Sequence, residues 1–302
     1  LILTANDSIN FYGTVNLDTR GSSGTSALQL VLNTPALFGH GGANDVGTGS
    51  AGTLVWNGAY GASGPSWSSV IVEGNPGAPI AGGPGTGHGT LNLVADRIVL
   101  GYQDGLSGMP ALSMNRLALG FATVNLTAAQ RIETNDRGTI SVYESQAVFG
   151  KPGTGGALNI TTPLLTGKGG SNVGFVAGGA IKLAAPQGWT VPAKRPDVPM
   201  GGEIAFTGST VNLDTLVALP SGRLKLTARD GDVTLGDRAK IDMAGMASKF
   251  FDETRYSWGG DVELESASGN VLMAKGAVID LSAHYNHAGL LKVIAVNAAV
   301  AL

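Results

Sequence analysis

Two "GHG" tripeptides place His40 and His88 between glycines, at 39–41 and 87–89. Imidazole beside paired carboxylates is the equipment of polysaccharide cleavage, where one acid protonates the leaving oxygen and a second group serves as base or nucleophile. That reaction needs neighbouring carboxylates, and no Asp-Asp dipeptide occurs in the chain. "TND" at 134–136 and "RI" at 97–98 and 131–132 are too short to complete such a site, so His40 and His88 read as residues of glycine-rich turns. Calcium fares no better. "GGPGTGHG" at 82–89 has Gly or His where a calcium-binding β-roll needs Asp, and it does not recur.

"IDMAG" and "IDLSA" set Asp242 and Asp280 at equivalent outward positions 38 residues apart. Two carboxylates so related could share an ion or a proton, but Asp more commonly bonds turn amides, and that reading is preferred. "HYNH" spaces His284 and His287 three apart in a strand or turn, with no third metal ligand nearby in sequence. No catalytic residue, metal or cofactor is assigned, and the chain is not read as an enzyme.

The strongest binding signal is "KFFDETRYSW" at 249–258. Phe250, Phe251, Tyr256 and Trp258 sit there beside Asp252, Glu253 and Arg255. Exposed aromatics interleaved with charges can grip a glycan or a protein surface. Phe250, Phe251, Arg255, Tyr256 and Trp258 are the candidate contacts, with the expectation that Phe250 and Phe251 fold back against the outer sheet face and Tyr256 and Trp258 stay exposed. "WNGAYGASGPSW" at 56–67 offers Trp67 as a second contact, while Trp56 continues a strand. The Pro-rich "PQGWTVPAKRPDVPM" at 186–200 reads as rigid extended turns without a chemical role.

What must position these residues is a repeat. Gly-x-aliphatic-x-aliphatic recurs as "GALNI" (156–160), "GAIKL" (179–183), "GEIAF" (202–206), "GRLKL" (222–226) and "GDVEL" (260–264). The last step contains an inserted loop at about 246–258. Within a unit, Leu224/Leu226, Val233/Leu235 and Ile241/Met243 alternate, and Val262, Val271 and Ile279 repeat that spacing. An alternation of two marks a strand with one buried face, and "RDG", "LGD" and "ASG" mark the turns between. Three short strands per unit describe one coil of a parallel β-helix. The predicted core ladder is Leu158, Ile181, Ile204, Leu224, Val262, Val233, Val271, Ile241 and Ile279. The fold class is all-β, a parallel β-helical solenoid of roughly ten coils with loop excursions, forming one domain over 1–302.

Composition agrees. The 302 residues include 47 Gly, 43% are hydrophobic, and only 14% are charged. Net charge is −3 with scattered Lys and Arg, so no basic stripe for nucleic acid exists. Cysteine is absent, which removes disulfides and thiol chemistry. No stretch is long enough for a membrane helix, and both ends read as cuts through a longer polypeptide.

"GGDVELESASGNVLMAKGAVIDLSA" (259–283) and "GRLKLTARDGDVTLGDRAKIDMAG" (222–245) resemble the repeats of filamentous-haemagglutinin-like exoproteins, the large substrates of two-partner secretion in Gram-negative bacteria. The resemblance is close over 155–283 and compositional before that. It implies a right-handed β-helical shaft, exported through an outer-membrane two-partner-secretion transporter and folded at the cell surface or outside the cell. Adhesion to a host-cell glycan or protein receptor, biofilm formation, or service as the stalk of a contact-dependent growth-inhibition toxin would follow. The alternative is a β-helical polysaccharide lyase or hydrolase. The family's secretion domain and an Arg-Gly-Asp tripeptide are not found.

Overall fold

In the computed structural model, the described residues are 1–12, 14–18, 29–40, 53–57, 69–73, 89–101, 115–135, 137–148, 150–296 and 299–301. Every regular element among them is a β-strand, and all the sheets but one small hairpin are built from parallel pairings. The strands form three ladders, visited in rotation along the chain.

The second ladder shows the principle most plainly. Its strands are Ile9–Tyr12, Ala36–His40, Arg116–Leu119, Arg137–Tyr143, Asn172–Ala177, Glu203–Gly208, Arg223–Ala228, Asp261–Ser266 and Leu291–Ala295. Each pairs in parallel with the next. The third ladder contains ten strands: Thr14–Asp18, Thr53–Asn57, the first part of Gly89–Leu100, the first part of Phe121–Thr134, Ala157–Thr161, Ile181–Ala184, Val211–Asp214, Val233–Leu235, Val271–Met273 and Val300–Ala301. The first ladder runs from Ile2–Thr4 through the later parts of those two long strands to Leu165–Gly167, Leu216–Ala218, Lys240–Asp242 and Val278–Asp280.

The inward residues of successive strands lie on one another. Val173, Ile204, Leu224 and Val262 stack in register and are at most 2% exposed. Beside them Phe175 and Phe206 stack ring on ring, 4.7 Å apart and 14° from parallel, above Leu226 and Leu264. The third ladder places Leu158 on Ile181, then Val211, Val233 and Val271. Each such side chain contributes about 1.5–3 kcal/mol by leaving water. A slip of one residue would turn a whole set outward, so the match of inward residues fixes the register.

This order corrects the single Gly-led template. Leu158 and Ile181 belong to the third ladder, whereas Ile204, Leu224 and Val262 belong to the second. The step from 179 to 202 passes between ladders, with the Pro-rich segment and no first-ladder strand between them, so Leu165–Gly167 pairs directly with Leu216–Ala218. The leading glycines of the second ladder have a steric reason. A Cβ on Gly222 would lie 2.0 Å from the Gly202 carbonyl oxygen, one on Gly260 2.3 Å from that of Gly222, and one on Gly289 1.9 Å from that of Gly260. Successive repeats approach too closely there for any side chain.

The Pro-rich excursion, read from sequence as chemically idle, straps the outer face of the first ladder. Val198 joins Leu164, Leu216 and Ala218 in a second small core, with Trp189 packed against it. Arg195 reaches Asp242, donating from Nη2 at 2.6 Å to Oδ1 and from Nε at 2.9 Å to Oδ2. Asp242 is 3% exposed. Thus Asp242 and Asp280 are in register, as the spacing implies, but Asp242 faces a covered surface rather than solvent.

Candidate binding surface

The segment 247–256 leaves the parallel ladders as an antiparallel hairpin, Ala247–Phe250 with Glu253–Tyr256. Its ends are held together by the Ser257 amide donating to the Met246 carbonyl at 2.9 Å and the Met246 amide donating to Ser257 Oγ at 2.8 Å. The expected burial of Phe250 and Phe251 does not occur. Phe250 is 57% exposed and Phe251, at the hairpin tip, 98%. A two-stranded ribbon stands on its own hydrogen bonds, so no outer sheet face lies beneath these rings. Trp258 is 61% exposed, Arg255 is exposed and ion-paired with Glu253 at 3.0 Å, and Tyr256 is half-buried.

Tyr256 is half-buried because the loop after Val278–Asp280 packs against it. Its ring centroid lies 5.5 Å from His284 and 5.0 Å from Tyr285, each inclined at 67°, and His284 and Tyr285 are 3.9 Å apart. Asn286 Nδ2 donates to the Tyr256 carbonyl at 2.8 Å, and the Gly259 amide donates to the His287 carbonyl at 2.9 Å. Hairpin base and loop therefore form one surface. His284 and His287 thus support the hairpin, and no group of three or more metal-binding side chains occurs among the described residues.

Backbone strain gathers at the same place. Ser221, Phe251 and Tyr285 are the non-glycine residues with positive φ among those described, at 55°, 53° and 53°. Such values are uncommon without Gly, and strain of this kind tends to collect at functional sites. Ser221 Oγ lies 2.6 Å from Ser257 Oγ and donates to the Trp258 carbonyl at 2.7 Å. All three strained residues are thus parts of the hairpin or of what holds it.

Sequence reasoning found the hairpin aromatics and missed Tyr285, Asn286 and the role of His284. A signal was present. Val262 pairs with Leu291, an offset of 29, and the same offset carries Tyr256 to Tyr285. Trp67 and His88 lie outside the described residues. His40 ends a strand of the second ladder, where its ring stacks on Tyr12 at 4.5 Å and Nε2 lies 2.7 Å from Asn10 Oδ1.

Below the hairpin the second ladder carries an outward row of charge that the sequence reading did not identify. Lys225, Glu263 and Lys292 are in register, and Lys225 Nζ lies 3.1 Å from Glu263 and 3.0 Å from Glu265. Hydrogen bonding to Glu265 holds the Lys225 pKa above the usual lysine value, and hydrogen bonding from Lys225 holds that of Glu263 below the usual carboxylate value. Asp280 is likewise lowered, mainly by the Ser282 hydroxyl, which donates to Oδ1 at 2.7 Å. Glu263, Glu265 and Asp280 are thus engaged in ion pairs and turn hydrogen bonds.

No family model, curated protein or solved structure matches the chain. No helix among the described residues is long and apolar enough to cross a membrane.

Proposed function

We propose that the chain is a shaft segment of a large secreted or cell-surface bacterial exoprotein, wound as a right-handed parallel β-helix of about ten coils. Its work is spatial: the coil stack carries outward excursions, and any distal domain, away from the cell for adhesion, biofilm or cell contact. The observation that carries this reading is the division of labour along the ladders. Inward residues repeat position by position, while the aromatic hairpin at 247–256 is spliced between matching strands without disturbing them. Nearest-neighbour stacking makes such an array extensible and tolerant of insertions. The resemblance of 222–245 and 259–283 to filamentous-haemagglutinin-like repeats supports the same reading and supplies the export route, a two-partner-secretion transporter in a Gram-negative outer membrane.

The test is to detect peptides from "GGDVELESASGNVLMAKGAVIDLSA" in cell-surface and culture-medium fractions and to measure the mass of the polypeptide that carries them. A very large surface or shed chain is expected. A cytoplasmic location, or a free secreted protein of about this size that cleaves polysaccharide, overturns the proposal.

A further inference from the structure

We propose that the hairpin base and the 282–289 loop form a binding site for a neutral oligosaccharide, with Tyr285 as the stacking platform. The inference deepens the adhesive part of the function proposed above and rests on it.

Tyr285 is 80% exposed and adopts φ 53°. A bulky side chain is strained in that conformation, and an 80% exposed ring recovers little of the cost by burial. The side chain is nevertheless held in place, flanked by Tyr256 and His284 at 5.0 and 3.9 Å. A ring fixed in solvent at an energetic cost is preorganised for something that stacks on it, because little freedom remains to be lost on binding.

The chemistry of the surroundings selects the occupant. The ring contacts are too short for a guest between the rings, so the cluster is a platform and not a cage for a cation. Around it the rings alternate with hydrogen-bonding groups, Asn286, His284 and His287 among them, so the surface is not a continuous apolar patch for a protein helix. The hairpin's charged residues are Lys249, Asp252, Glu253 and Arg255, two of each sign, and Arg255 is already paired with Glu253. No net positive field awaits sulfate, sialate or phosphate. A neutral sugar fits each of these features. The less hydroxylated face of a pyranose presents polarised C–H groups to the electron-rich face of a ring, and its rim of hydroxyls meets amide and imidazole.

The experiment uses the purified chain. It is applied to an array of oligosaccharides ending in β-glucose, β-galactose or β-N-acetylglucosamine, with sialylated and sulfated counterparts, and hits are mapped by saturation-transfer NMR. Binding of at least one neutral sugar is expected. Tyr285→Phe should bind within about threefold of the parent, and Tyr285→Gly should lose at least tenfold. Because Gly relaxes the left-handed backbone, Tyr285→Gly should melt no lower than the parent, which separates lost stacking from lost folding. Three results overturn the proposal: no neutral sugar bound at millimolar concentration, binding confined to sialylated or sulfated sugars, or binding unchanged in Tyr285→Gly. A surface-located chain that binds no sugar would refute this site and leave the shaft reading standing.

Discussion

Removing the Arg195 guanidinium tests whether the Pro-rich strap is part of the fold or merely lies on it. Asp242 is 3% exposed, and Arg195 gives it both of its side-chain partners' hydrogen bonds, with the Ala244 amide adding a long contact at 3.3 Å. Breaking a fully buried ion pair costs about 3–5 kcal/mol because a charge is left without a partner. The Arg195 side chain is 23% exposed, so water can reach part of the vacated space, and about 2–3 kcal/mol is the expected loss for Arg195→Met. At the ~2 °C per kcal/mol usual for chains at the larger end of the single-domain range, the melting temperature should fall by about 4–6 °C. Stacked repeats also open locally, so hydrogen exchange is the sharper assay. Protection should drop in Leu216–Ala218 and Lys240–Asp242, under the strap, and hold in Glu203–Gly208 and Arg223–Ala228 of the second ladder. Arg195→Met/Asp242→Asn should recover most of the loss, since the neutral amide no longer needs a cation. Unchanged melting and exchange in Arg195→Met would show that the pair contributes nothing and that Val198 and Trp189 alone hold the strap.

Gly260→Ala should destabilise by about 1–3 kcal/mol, the range for forcing atoms into a packed site, because its Cβ would sit 2.3 Å from the Gly222 carbonyl oxygen; thermal melting of a soluble variant checks it, and parent-like melting would contradict the close approach. Replacing 248–255 by Asn-Gly, a favoured two-residue hairpin turn, should leave circular dichroism and melting intact, since the ladders match across the insertion; loss of soluble protein would make the hairpin part of the core. Glu263→Gln should cost a few tenths of a kcal/mol near neutral pH, as exposed pairs do. The sign follows from the depressed Glu263 pKa: its contribution is complete above the unfolded glutamate pKa and disappears as pH falls through the lower folded value, so parent and variant should converge in acid. Divergence that grows on acidification would refute the pairing with Lys225 and Lys292.

The legible part of this fold is the part in which residues meet their own counterparts. Leu224, Val233 and Ile241 face Val262, Val271 and Ile279 because a parallel ladder with matched inward rows buries like against like, and that constraint prints a 38-residue offset on the sequence. The assignment of strands to ladders was less legible. All three ladders use the same alternation of two, and glycine opens strands in both the second and the third. The strap was illegible for a different reason. Arg195 and Asp242 are 47 positions apart, and although Asp242 repeats as Asp280, Arg195 lies in an excursion with no counterpart, so no periodicity announces their pairing. Phe250 and Phe251 misled because large apolar side chains are usually buried, and nothing local distinguishes a free-standing ribbon from a flap lying on a sheet.

The same contrast separates the parts of the chain that serve the ladders from a part that does not. Within the ladders local preference and global fold agree: β-branched and Leu side chains face inward, glycines stand where repeats touch, and Asp214 accepts from the Arg238 amide at 2.8 Å and from its guanidinium to tie one repeat to the next. A sequence that satisfies every level at once needs no compensation. The left-handed non-glycine residues among those described do gather: Phe251 is at the hairpin tip, Tyr285 is in the loop packed against the hairpin base, and Ser221 bonds Ser257 and Trp258 beside it, with exposed Phe250 and Trp258 alongside. Gly at 285 would relax the left-handed backbone and a polar residue at 251 would remove an exposed ring, so neither side chain is there for the sake of the ladders, and the sugar-binding test at Tyr285 is aimed at this spot.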